Sequence, residues 1–267
     1  MTTPTIRTGC GGWTFEPWRG VFYPDRLKQK DELGYMSRRL RSIEINGTYY
    51  STFKPDSWKT WRDETPDGFV FAVKGSRFTT NRKVLAGAGE SLEKFFAQGI
   101  SELGDKLGPI FWQFANTKAF DPEDFEGFLK LLPKTLDGRP LRHAVEVRHD
   151  SFRTPEFPAL LRKHGVACVY ADHAVYPEIA DVTADFVYAR LQTGSDDNET
   201  AYDAATLAAW AGRLKTWADG GEPADLPKVD VGRAAPKAPR DVFAYIIHEG
   251  KVRAPHGAEA LQAIVDK

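Results

Sequence analysis

The chain reads as an α/β protein, a single (β/α)8 TIM barrel, and three observations carry that reading. Eight short apolar runs of strand character recur along its 267 residues. Helical patterns fill most of the intervals, and strands alternating with helices pair in parallel through crossover connections. Eight such units in about 250 residues is the usual size of a closed barrel. The rival, an open doubly wound sheet, would show a glycine-rich phosphate fingerprint after its first strand. GCGGW at residues 9–13 has glycines without that spacing.

The elements follow in order. TIRTGC (5–10) is the first strand, and DELGYMSRRL (31–40) supplies a helical pattern before SIEING (42–47). DSWKTWRDE (56–64) leads to GFVFAVKG (68–75), and ESLEKFFAQGISELGDKL (90–107) to GPIFWQFA (108–115). DPEDFEGFLKLLP (121–133) opens on an Asp N-cap with proline just inside the helix. After RHAVEVRH (142–149), TPEFPALLRKHG (154–165) ends on Gly165, a helix stop signal. GVACVYAD (165–172) is followed by HAVYPEIADVTA (173–184), which predicts a loop or a single turn. DFVYARLQ (185–192) precedes DAATLAAWAGRLKTWADGG (203–221). The proline-rich stretch 223–239 predicts an irregular connection before the last strand, DVFAYIIH (241–248), and PHGAEALQAIVDK (255–267) closes the chain. Without a repeat or low-complexity tract, residues 1–267 are expected to form one barrel domain.

Composition bounds the function. The chain is 42% hydrophobic and 27% charged with a net charge of −1, so no overall basic surface points to nucleic acid or membrane. Its two cysteines, Cys10 and Cys168, lie in apolar runs and are expected to be buried free thiols. The first residues hold no apolar core of signal-peptide length and no run approaches a membrane span, so a cytoplasmic location is expected.

Active sites of such barrels sit at the carboxyl ends of the strands. Side chains alternate along a strand, so residues two apart share a face. Late polar residues then stand out: Glu44 and Asn46 in the second strand, Lys74 in the third, Gln113 in the fourth, and Glu146 with Arg148 in the fifth. Asp172, in phase with Tyr170, ends the sixth; Arg190 and His248 lie late in the seventh and eighth. One strand-end charge is ordinarily a solvated residue, and Glu146–Arg148 or Lys74–Glu44 alone would read as structural ion pairs. Several on inward phases are another matter, because a buried charge costs several kcal/mol unless it is paired. Trp13 is expected to wall the pocket, Tyr49 to reach its mouth, and His149 to enter from a loop. His143 is expected to face away, His164 and His173 to be helix-end and loop residues, and Trp58 and Trp61 to belong to the core.

GCGGWTFEPWRGVFYP, IEINGTYYSTFKPDSWKTWRDETPDGFVFAVKG, GPIFWQF and AVEVRHDSF run nearly end to end along the first five strands. With these motifs the chain resembles the YecE-like family (domain of unknown function 72), whose members are TIM barrels. The resemblance implies the fold and no established reaction. This chain departs from the family pattern in DHAVYPE (172–178), where a proline commonly follows the Asp. In YARLQTGS (188–195) it keeps Tyr188 and Arg190 but has Gln192 where the family has His. SRFTTNRKVL (76–85) and YIIHEGKVRAPHGA (245–258) also differ, which implies a divergent substrate preference.

The expected function is an enzyme acting by acid–base chemistry on a small anionic metabolite, phosphorylated or carboxylated and sugar-like ones included. Glu44, Lys74, Glu146 and Asp172 are the expected catalytic residues. Glu146 or Glu44 would be the base and Lys74 the acid or electrostatic partner. Arg148 and Arg190 would clamp the anion, since guanidiniums bind phosphate and carboxylate bidentately. Trp13, Asn46, Tyr49, Gln113, His149, Tyr188 and His248 complete the expected substrate site, and no cofactor is expected. One alternative is a metal-dependent phosphodiesterase acting on nucleic acid, with a divalent ion on Glu44, Glu146, Asp172 and His248. No H-x-H motif supports such a cluster. The other alternative is a non-catalytic anion-binding protein.

Overall fold

A computed structural model describes residues 4–267, so the first three residues of the N-terminal stretch read above lie outside the described residues. Eight parallel strands close into a barrel. They are β1 (Ile6–Gly11), β2 (Ser42–Ile45), β3 (Val70–Lys74), β4 (Leu107–Gln113), β7 (His143–Glu146), β8 (Ala167–Asp172), β9 (Phe186–Thr193) and β10 (Asp241–Glu249). All eight expected runs are strands. Between β4 and β7 sits a small antiparallel hairpin that the sequence reading missed, β5 (Thr135–Leu136) with β6 (Arg139–Pro140). Its turn, Asp137–Gly138, has φ of 48° and 78°, the left-handed pair that a two-residue hairpin needs.

Helices occupy the expected intervals: α1 (Glu32–Ser37), α2 (Pro55–Glu64), α4 (Gly89–Phe96), α5 (Pro122–Leu131), α6 (Glu156–His164), α7 (Ala204–Ala218) and α8 (Ala254–Val265). A four-residue helix, α3 (Arg77–Thr80), was not foreseen. The pattern read as one helix over 90–107 ends as α4 at Phe96, turns through Gly99 with φ of 95°, and resumes as 3-10 turns over Ile100–Lys106 that kink at Gly104 with φ of 58°. Asp121 caps α5 by accepting from the backbone N–H groups of Glu123 and Asp124, as its sequence implies. Residues 173–184 and 223–239 form no helix or strand.

Two apolar layers hold the barrel together. The inner one comprises Val70, Ala72, Phe111, Ala144, Ala167, Val169, Phe186, Tyr188, Phe243 and Tyr245. The outer one packs the opposite strand faces against the helices, with Phe71 and Trp112 among its members. Trp58 and Trp61 join it as expected, Trp58 buried and Trp61 at its edge. Burying a large side chain contributes about 1.5–3 kcal/mol, so these layers supply most of the stability that positions the strand ends. Cys10 and Cys168 are both buried free thiols.

Candidate active site at the carboxyl end of the barrel

The inner phase, carried upward, fixes which polar residues enter the barrel. Glu44 follows Ser42, Lys74 follows Ala72, Gln113 follows Phe111, Glu146 follows Ala144, and Arg190 follows Tyr188. Lys74, Gln113, Glu146 and Arg190 sit one step above the apolar layer, and Glu44 one step above Ser42, whose hydroxyl is bonded to Tyr245 of that layer. Strand registers bring them level: Gln113 pairs with Glu146, and Glu44 with Ala72 just below Lys74. All five are buried, and Glu44 and Glu146 are fully so.

Arg190 is the hub. Its Nε and one terminal nitrogen each lie 3.2 Å from Glu44, donating to both carboxylate oxygens, and the other terminal nitrogen donates to Glu146 Oε2 at 2.5 Å. Tyr188 donates its hydroxyl to Glu44 Oε2 at 2.6 Å. Glu146 Oε1 accepts from Arg148 Nε at 2.7 Å and from Gln113 Nε2 at 2.8 Å. The Gln113 carbonyl in turn accepts from Lys74 Nζ at 2.9 Å, which fixes the orientation of its amide. Phe111 forms the floor, stacked on Tyr188 and lying 4.7 Å beneath the Arg190 guanidinium. Lys74 Nζ stands 4.5 Å from the Tyr49 ring, so Tyr49 does border the site.

Burial and charge act on these groups in opposition. Desolvation works against the Glu146 carboxylate, but Arg190 and Arg148 outweigh it and hold its pKa down to about 2. For Arg190 burial disfavours the charge, and Glu146 and Glu44 more than restore it. Lys74 is the exception. Burial, reinforced by the nearby Arg190, lowers its pKa to about 8 despite the two carboxylates. One group in the network therefore titrates near neutrality.

Not every expected residue converges here. Asp172 shares the phase of Tyr170, which packs outward against Trp210 and Trp217; the inward residues of β8 are Ala167, Val169 and Ala171. Its carboxylate accepts from Thr193 Oγ1 at 2.6 Å instead, and burial raises its pKa. The expectation that Asp172 enters the cluster is corrected on that ground. Trp13 packs edge-on against Trp61 and Phe71 of the outer layer. His149 is engaged locally, its Nδ1 paired with Ser151. Asn46 donates to the backbone oxygen of Glu44 at 3.3 Å and lies beside the network without joining it. His248 stands at the mouth with φ of 77°. The pair of arginines expected to clamp an anion divides: Arg190 is 5% exposed with three nitrogens engaged by carboxylates, whereas Arg148 reaches the mouth. His143 faces outward as read, accepting from Trp112 Nε1 and contacting the Pro133 carbonyl; burial lowers its pKa to about 4.

Sequence reasoning missed Tyr176, whose ring lies 4.4 Å from the Arg148 guanidinium, and His173, which stacks on Tyr176 with centroids 4.0 Å apart. Both come from the irregular 173–184 segment, where no periodicity can assign a facing. Phe111 was also overlooked as the floor, although its phase with Gln113 was readable. Among the described residues, no three His, Cys, Asp or Glu side chains group as a metal site, and no helix is long and apolar enough to cross a membrane.

The profile of the family described as "Protein of unknown function DUF72" matches residues 7–267. The chain belongs to the DUF72 family. The UPF0759 protein YecE of Escherichia coli K12 is 29% identical over 118 residues, which are 43% of this chain and 41% of the length of that relative. Solved structures of DUF72 family proteins superpose over nearly the whole barrel. TM1631 of Thermotoga maritima has a TM-score of 0.68 at 22% identity, covering 98% of this chain and all of the other. EF0366 of Enterococcus faecalis has a TM-score of 0.70 at 14% identity, with 98% and 96% covered. These likenesses establish the closed barrel and carry no reaction with them.

Proposed function

We propose that this DUF72 barrel is an enzyme that acts on a small anionic metabolite by proton transfer at its carboxyl end, with Lys74 as the group that carries the proton. The observation that carries the reading is the pairing of a saturated ion network with one poised amine. Glu146 accepts three hydrogen bonds from Gln113, Arg148 and Arg190 and is held down to about 2, so it is a poor base and serves to orient and polarise. Lys74, lowered to about 8, has about one molecule in ten neutral at pH 7 and can act as acid or base. A pKa near the working pH is what efficient proton transfer asks for. Gln113 and the rings of Phe111 and Tyr49 hold the amine in place. The charge balance supports an anionic substrate: Lys74, Arg148 and Arg190 face Glu44 and Glu146, three cations to two carboxylates.

The test has two arms. The Lys74 ammonium resonances, followed by NMR, should titrate with an apparent pKa near 8. Among phosphorylated and carboxylated small molecules, a substrate should show a pH–rate limb near the same value. Lys74→Met should lower its turnover by about 10²–10⁴-fold with the fold intact. Titration of Lys74 above 10, or equal turnover by the variant, would overturn the assignment.

A further inference from the structure

The two halves of the barrel mouth differ. Glu44, Lys74 and Gln113 come from the adjacent strands β2, β3 and β4. The other half, β7–β8–β9–β10, ends in a chain of polar and aromatic groups, with Glu249 beside His248. Arg148 follows β7 and touches the Tyr176 ring at 4.4 Å. Tyr176 stacks on His173, which follows β8, and His173 meets His248 of β10 with centroids 5.6 Å apart. Between the last two runs β9, whose alternation from Tyr188 and Arg190 puts Gln192 on the inward face. Gln192 is 2% exposed, yet its Nε2 has no hydrogen-bond partner. A buried amide nitrogen without a partner is a desolvation cost left unmet, so it calls for a ligand atom.

The remaining donors are directed by their neighbours. Arg148 uses only Nε on Glu146, and its two terminal nitrogens have no hydrogen-bond partner among the described residues. His173 accepts the Val175 N–H on Nδ1, so its proton sits on Nε2 and is available to a ligand. His248 has Glu249 Oε1 3.0 Å from Nδ1, so Nδ1 carries the proton and Nε2 donates to a ligand only in the doubly protonated ring.

We infer that this arc is a phosphoryl subsite, taking the phosphate of a phosphate monoester while the rest of the substrate lies toward Lys74. Four consecutive strand ends each contribute one group: Arg148, His173, Gln192 and His248. A planar carboxylate would be satisfied by the Arg148 fork alone. A phosphate has three terminal oxygens that accept from several directions, which matches donors spread over an arc. Late strands are also where barrels of this type frequently hold phosphate. The inference rests on the reading of the mouth as the substrate site, but it is measured by phosphate binding and not by the titration of Lys74.

Calorimetric titration with inorganic phosphate, methyl phosphate and acetate tests it. Phosphate and methyl phosphate should bind at least tenfold more tightly than acetate. Arg148→Met and Gln192→Leu should each weaken methyl phosphate binding by fivefold or more, and Lys74→Met by less than threefold. If Arg148→Met unfolds, Arg148→Lys keeps the charge beside Glu146 and should still lose affinity by removing the fork. Equal affinity for acetate and methyl phosphate, or full affinity in both the Gln192 and Arg148 variants, would overturn the subsite. Titration of Lys74 near 8 alongside that result would leave the proton-transfer reading standing, so the two ideas fail separately.

Discussion

The two ends of the barrel both carry ion pairs, and they are built differently. At the amino end Asp241 accepts from Arg142 at 2.7 Å and lies 3.9 Å from Arg7, with the side chains of all three 18–39% exposed. At the carboxyl end Glu44 and Glu146 are fully buried and Arg190 nearly so. A cavity of about 740 Å³ lies at the amino end and includes Arg7, Arg142 and Asp241 in its lining. A cavity of that size would hold a small ligand. The chemistry argues for the other end, because partly solvated pairs are screened and contribute little, whereas a desolvated network is tolerated at a cost of several kcal/mol per ion. The amino-end groups need no function to explain them; the carboxyl-end groups do.

Arg190 should show the largest difference between the two ends. Arg190→Met leaves two buried carboxylates uncompensated and should cost on the order of 3–5 kcal/mol, a figure typical of broken buried pairs. Arg142→Met at the other end should cost less than about 1 kcal/mol. Equal losses in urea denaturation would mean that the two ends do not differ energetically.

Glu146→Gln comes next. The neutral amide leaves Arg190 its bonds to Glu44, so a loss of about 2–3 kcal/mol at pH 7 is expected. The folded pKa of Glu146 lies below its ordinary 4.5, so the carboxylate contributes stability above pH 4.5 that is lost as the pH falls toward about 2. Wild-type unfolding free energy should therefore decline across that window more steeply than that of Glu146→Gln. Parallel profiles would contradict the ionised, paired state.

Lys74 sharpens the comparison with the smallest effect. Its folded pKa is lowered, so between about pH 8 and 10.5 the unfolded chain binds more protons and stability rises with pH. Wild type should gain about 1–2 kcal/mol relative to Lys74→Met over that interval, discounted from the full shift for coupling to its neighbours. A flat difference between the two, read from melts at successive pH values, would place Lys74 in ordinary solvent.

The sequence by itself determined the barrel, because eight apolar runs alternating with helical patterns can bury their faces in few ways. It also determined the inward phase of Glu44, Lys74, Gln113, Glu146 and Arg190, since alternation is a local property of extended backbone. The same rule failed at Asp172 because the inward parity of β8 is set by packing of Tyr170 on α7, which no local pattern announces. It was silent on Tyr176 and read His173 only as a loop residue, since their positions depend on an irregular segment folding back over Arg148. Nor could it divide the two arginines. Arg190 and Arg148 look alike as late cations of the seventh and fifth barrel strands, and only closure of the barrel decides that one is enclosed between two carboxylates while the other keeps donors free. Strand geometry fixes where a side chain points; the desolvation that sets its charge and its task is a sum over strands distant in sequence.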